Sequence, residues 1–181
     1  MRDLGRTMSG LVLASAAAVL CGCVSVHAPS RSAVASAAIV RGDGSPAGEA
    51  RLFAAGSGMI LQVDVYDLPQ GVHGLHLHES GRCDGPDFAS AKGHWNPTSH
   101  QHGSANPAGP HAGDLPNLMV GANGRGRLRA ALNPEASAAG LVGIFDDDGT
   151  AVVIHAGPDD FRTDPSGQSG ARIACGVLAR R

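Results

Sequence analysis

The sequence predicts an all-β domain, an antiparallel sandwich or barrel, behind an N-terminal export address. Three observations point there. Gly at 26 and Pro at 11 in 181 residues require many turns. Between those turns apolar and polar residues alternate with period two. Two stretches too long for hairpin loops interrupt the strands and ask for a function. The length suits one domain with a real core. Fourteen Lys+Arg against sixteen Asp+Glu give a formal net charge of -2, so no nucleic-acid partner is expected.

The address comes first. Arg2 and Arg6 precede residues 11–20, an unbroken run of apolar and small side chains. That run is too short to span a bilayer as a helix and suits the apolar part of a secretory signal. Leu20-Cys21-Gly22-Cys23 resembles a bacterial lipobox, which implies a lipoprotein-type signal peptide over 1–22 and a lipid anchor on Cys23. Ordinary cleavage near Ala28 without lipid is the other reading. Val24 is not the Asp that would retain a lipoprotein at the inner membrane, which favours the outer membrane. The Ser/Ala/Pro-rich residues 23–34 read as a flexible tether, with the domain over 35–181.

Export also bears on the cysteines. With Cys21 removed and Cys23 lipidated, Cys83 and Cys175 remain. Two thiols in an oxidising compartment read as one disulfide closing a loop of about ninety residues. Two separate buried thiols are the other reading.

The strands follow in order. Leu61, Val63 and Val65 alternate with Gln62, Asp64 and Tyr66, giving one apolar and one polar face. Residues 67–71 end that strand, and 72–79 read as the next. Residues 118–120 and 126–132 flank Asn123-Gly124, a strong hairpin signal. Asp148-Gly149 turns into the apolar strand 151–155, and 171–178 is the last. The two long loops are 81–116 and 157–170.

All but His27 of the nine histidines lie between positions 73 and 155. His76 and His78, two apart in a strand, project to one face, with Leu75 and Leu77 on the other. In the first long loop His94, His102 and His111 precede Asp114, each beside a Gly or Pro. Three imidazoles and a carboxylate form a closed tetrahedral set suited to zinc. His155 ends an apolar strand and is a natural further ligand for the His76/His78 pair, since imidazole-rich tetragonal sites suit copper.

Five segments in order resemble the copper–zinc superoxide dismutase family: Gly74-Leu75-His76-Leu77-His78-Glu79; His94-Trp95-Asn96-Pro97; His102-Gly103 with the run from Pro110 to Asn117; the run from Ile154 to Asp160; and the run from Gly170 to Val177. The resemblance implies a Greek-key β-sandwich or flattened barrel with two long functional loops. It implies one copper on His76, His78, His94 and His155, and one zinc on His94, His102, His111 and Asp114, with His94 shared. It implies dismutation of superoxide to oxygen and hydrogen peroxide, with Arg172 orienting the anion and His94 passing a proton. Asp159 is implied to link His76 to His102, and Cys83–Cys175 to be the family disulfide. Trp95 stands where the family more often has Phe. His73 reads as structural and His100 as a solvated loop residue.

A metal carrier is the rival from another class. Soft ligands for such a role are scarce: only Met59 and Met119 lie beyond the signal, and the mature chain has no CxxC. The expected location is the periplasm or cell envelope, as a homodimer or monomer.

Overall fold

The structure, a computed structural model, describes residues 32–181. The expected signal peptide, Cys23 and all but the end of the expected tether lie outside the described residues. Ten strands follow: β1 (Ala35–Arg41), β2 (Pro46–Ala55), β3 (Gly58–Val65), β4 (Gly71–His73), β5 (Leu75–His78), β6 (Leu118–Val120), β7 (Gly126–Ala131), β8 (Ala151–His155), β9 (Arg172–Val177) and β10 (Ala179–Arg180). One helix, α1, covers Pro134–Ile144.

Every pairing is antiparallel, in the order β4-β6-β7-β3-β2-β1-β9-β8-β5, with β10 on β1. The two ends of that order, β4 and β5, are consecutive in the chain, so the sheet curls round into a barrel. From β3 the chain crosses to β4 and β5, and the β6–β7 hairpin returns to β3, the Greek-key path. Alternation drives the curvature inward. Met59, Leu61, Val63 and Val65 of β3 are buried against Leu52, Leu75, Leu77, Leu118, Val152 and Ile154 in one core.

The expected single strand 72–79 is two strands, a correction to the sequence reading. The break falls at Gly74, where the side chains of Ser169 and His76 come too close for a Cβ. Its N–H donates to Gly157 O at 2.8 Å, its carbonyl accepts from His155 N at 2.9 Å, and a Cβ there would lie 2.8 Å from Ser169 Cβ. Switching partners at Gly74 bares the second edge of β5. The long loop covers it: Glu79 N bonds Gly93 O, Trp95 N bonds Leu77 O, and Leu77 N bonds Gly113 O, at 2.8–3.0 Å.

The helix α1 is absent from the sequence reading. Its start is legible in retrospect, since Asn133 accepts the Ala136 N–H through Oδ1 at 2.8 Å and Pro134 takes the first helical position. The helix breaks at Gly140, where φ is 61°. Beyond the break Gly143 lies against the only tryptophan; a Cβ there would lie 3.1 Å from Trp95 Cζ2. That glycine makes room for the larger ring beside His94.

Candidate metal centre

Leu75 and Leu77 turn into the core, so His76 and His78 turn outward, under the loop that covers the β5 edge. A register shift between Ile154 and His155 on β8 sets His155 opposite Arg172 and beside that pair. His94 lies opposite His78 across the covered edge, and Asp114 opposite His76. His76, His78, His94, His102, His111 and His155 are all at most 7% exposed.

Four buried ring nitrogens have no hydrogen-bond partner: His76 Nδ1, His78 Nε2, His94 Nε2 and His155 Nε2. They belong to the four histidines expected to hold copper, whose ligand atoms lie within 4.8 Å of one another. The other nitrogen of each ring is occupied. His76 Nε2 donates to Asp159 Oδ2 at 2.8 Å, His78 Nδ1 to Lys92 O at 2.9 Å and His155 Nδ1 to Gly170 O at 3.1 Å, while His94 Nδ1 lies 3.0 Å from Asp114 Oδ1. Carbonyl and carboxylate oxygens only accept, so these bonds fix the tautomers and leave the unpartnered nitrogens as bare lone pairs. Buried polar atoms without partners are costly and rare. Four converging on one point fit an imidazole-ligated cation such as copper.

Beside them is a second set. Asp114 Oδ1 lies 3.0 Å from His94 Nδ1, 3.0 Å from His102 Nδ1 and 3.4 Å from His111 Nδ1, and the last nitrogen is 3.4 Å from His94 Nδ1. A tetrahedron with zinc–ligand arms of about 2.0–2.1 Å has edges of about 3.3 Å. A donor of His76 also lies within 4.8 Å of those of His94, His102 and Asp114. His76 Nε2 is however already bonded to Asp159 and its Nδ1 faces the first set, so His111 is the better fourth donor. Asp114 is aimed by its other oxygen, which accepts the N–H of Gly103 at 2.9 Å and of His111 at 3.0 Å.

The two sets share His94 and are linked again by Asp159. Its Oδ1 accepts from His102 Nε2 at 2.9 Å while Oδ2 accepts from His76. Electrostatics divide along the same line. Burial, then His94, pushes His78 down to about 2; burial pushes His155 down to about 4; burial, outweighing the Asp159 hydrogen bond, pushes His76 down to about 3. These rings stay neutral, as ligands must. Burial also opposes charge on His102, but its hydrogen bonds to Asp114 and Asp159 outweigh it and raise the ring to about 9. Burial would raise both carboxylates, yet their histidine partners hold them well below the usual range.

Arg172 lines the open cleft above the first set, with His78, His94 and His155. Its Nη1 donates to Phe88 O at 2.6 Å and its Nη2 to Lys92 O. Both acceptor residues sit at positive φ, 55° and 61°, a strained backbone that turns their carbonyls onto the guanidinium. No carboxylate is within ion-pair distance among the described residues, so the charge is fixed in place and left unneutralised. The Cys83–Cys175 disulfide forms, tying the loop that carries Phe88 and Lys92 to β9.

The bystanders fall as expected. His73 is buried between Pro69 O and His155 O, at 2.9 and 2.8 Å, and faces neither set. His100 is exposed in the loop.

Sequence reasoning missed several supports. Asn117 exchanges two 2.9 Å hydrogen bonds with the Asp159 backbone. Asn133 holds His111 O at 2.6 Å, and Asp164 Oδ1 accepts the His102 N–H at 2.6 Å. Gly167 has φ 65°, and a Cβ there would fall inside the Asp159 carboxylate and 2.7 Å from His102 Nε2. Gly167→Ala is therefore expected to push Asp159 off both histidines and weaken zinc binding about 10- to 100-fold. Competition against a chelator measures it; unchanged affinity would mean that Asp159 does not orient His102.

Comparison with known proteins agrees with this chemistry. A family model described as copper/zinc superoxide dismutase matches residues 47–178. The chain is 45% identical over 143 residues to superoxide dismutase [Cu-Zn] 1 of Aquifex aeolicus, covering 77% of this chain and 84% of that one. It is 39% identical over 147 residues to superoxide dismutase [Cu-Zn] of Caulobacter vibrioides, covering 80% and 84%. Among solved structures it is similar to a SOD-like protein from Bacillus subtilis, with a TM-score of 0.71 and 38% identity over 80% of this chain and 97% of that one.

Proposed function

The chain belongs to the copper/zinc superoxide dismutase family, and from that premise we propose how its residues divide the work. It is a superoxide-dismutating enzyme with one copper and one zinc. Copper would be held by His76 Nδ1 and the Nε2 atoms of His78, His94 and His155, and zinc by the Nδ1 atoms of His94, His102 and His111 with Asp114 Oδ1. His94 bridges the two. The observation that carries this is the set of four unpartnered buried nitrogens, one of them on a ring whose other nitrogen belongs to the second set.

Copper, when bound, supplies the one-electron exchange that oxidises one superoxide to oxygen and reduces another to peroxide, while zinc adds redox-silent positive charge. The protein's own residues do the rest. Arg172 draws the small anion into the cleft and orients it, since such a substrate offers almost nothing but charge to bind. In the half of the cycle in which its Nε2 is free of copper, His94 would hold a proton there and deliver it to the reduced substrate. Asp159 keeps His76 and His102 in register.

His94→Ala is expected to abolish magnetic coupling between paramagnetic metals placed in the two sites. Coupling that persists would exclude His94 as the bridge. At contact distance one fixed charge contributes on the order of 1–4 kcal/mol. Arg172→Ala is therefore expected to slow superoxide removal about tenfold or more at low salt and to flatten its salt dependence, with both metals retained. Unchanged low-salt kinetics would sink the role.

Cys23 as a lipid anchor and the cell envelope as the location complete the reading. Support comes from the lipobox-like sequence and the disulfide, which persists in oxidising compartments. Mass measurement of the membrane-fraction protein tests the anchor.

A further inference from the structure

The formal net charge of -2 conceals a polarised molecule. In the barrel order β2 and β3 lie opposite the β4–β5 seam, hence opposite the metal centre. The outer face there pairs Glu49 with Asp64 and Arg127 in one row, and Arg51 with Gln62 and Arg129 in the next. Arg125 and Arg181 line the same broad groove. Five arginines thus face two carboxylates. Glu49 is engaged by Arg51 and Arg181, and Asp64 by Arg127. Arg125 and Arg129 are exposed and meet no carboxylate among the described residues. The acidic side chains Glu79, Asp146, Asp147 and Asp148 gather on the metal side.

The N-terminal end of the described chain lies against this basic face. Val34 O accepts the Arg181 N–H at 3.0 Å, and Ser36, one residue into β1, lines the groove. Eleven residues separate Cys23 from β1, a reach of at most about 40 Å even fully extended. We propose that this arginine face docks on a membrane surface bearing anionic phospholipid headgroups, with the metal cleft turned away from it. The proposal rests on the lipid-anchor reading for where the membrane is, and on the charge pattern for which face meets it. A lipid on Cys23 brings a membrane within reach, and a basic patch adds a preference for anionic headgroups and for which face of the domain meets them. Facing away, the cleft stays open to a diffusing anion that a negatively charged surface would repel.

The test uses the exported, metal-loaded chain carrying Cys23→Ser, so that no lipid contributes. It is sedimented with phosphatidylcholine vesicles, with or without phosphatidylglycerol, at low and high salt. Binding is expected only with phosphatidylglycerol, and it is lost at high salt. Arg125→Gln with Arg129→Gln is expected to lower the partition constant about 25-fold, some fivefold per arginine, with superoxide removal unchanged. Equal partitioning of parent and variant overturns the proposal. So does binding to soluble inorganic polyphosphate without binding to vesicles. Absence of an acyl group on Cys23 in the membrane fraction breaks the anchor reading alone and leaves the vesicle result standing.

Discussion

Replacing Cys83 and Cys175 together by serine is expected to cost about 4–5 kcal/mol, the chain-entropy value for a closed loop of 92 residues. In a domain of this size that lowers Tm by about 10–15 °C. Activity per bound copper is expected to fall as well. Cys175 lies three residues past Arg172, and Cys83 opens the segment whose Phe88 and Lys92 carbonyls hold the guanidinium. Without the bridge those strained carbonyls relax and Arg172 loses its fixed position. Calorimetry gives the stability change, and turnover normalised to metal content gives the second effect. Full activity per copper in the double variant would show that the bridge stabilises the fold without positioning Arg172.

Acid is expected to be nearly as damaging to the metal-free protein. Burial holds His76, His78 and His155 at about 3, 2 and 4, against 6.5 in an unfolded chain. Between pH 6.5 and 4 the unfolded chain therefore binds more protons than the folded one, and stability falls as pH falls. Each ring contributes up to about 1.4 kcal/mol per pH unit, so pH 6.5 to 5 costs about 4 kcal/mol in all. That is much of the stability of an ordinary domain. His102, raised to about 9, is protonated in the folded state throughout this window and half to fully so in the unfolded chain, so it offsets little of the loss. Its contribution is full below 6.5 and disappears as pH rises through about 9. Urea unfolding of the metal-free, disulfide-intact protein at pH 6.5 and 5 checks the slope. An unchanged midpoint would mean that the rings remain hydrated. Under the proposed assignment metals would occupy the same nitrogens, and the acid loss is then expected only where protons displace metal.

What the sequence discloses and what it hides follow from where the chemistry resides. His76 and His78 are legible because a strand has period two, and His94, His102, His111 and Asp114 because donors beside turn residues in a long loop need a reason to be there. The family motifs join them and add His155, Asp159 and Arg172. The hidden part is largely backbone. The carbonyls of Phe88, Lys92 and Gly170 fix Arg172, His78 and His155, yet any residue has a carbonyl; only the positive φ angles of the three mark them. Asn117, Asn133 and Asp164 act across 42, 22 and 62 residues, beyond any local pattern. The break at Gly74 is invisible for the same reason: Ser169, which forbids a side chain there, is far away in the chain. The basic face escapes because net charge sums over a surface whose two sides differ.

The covered edge of β5 has a consequence beyond catalysis. A strand edge with free N–H and C=O groups is a template on which another chain can add a strand. Here residues 93–95 and Gly113 occupy that edge, and the same loop carries His94, His102, His111 and Asp114. Whatever frees the loop, whether a chelator, acid or a cut disulfide, also uncovers an unpaired strand beside the seam. The demetallated protein is therefore expected to join its own copies edge to edge, and the ions that let it destroy superoxide also keep that edge covered.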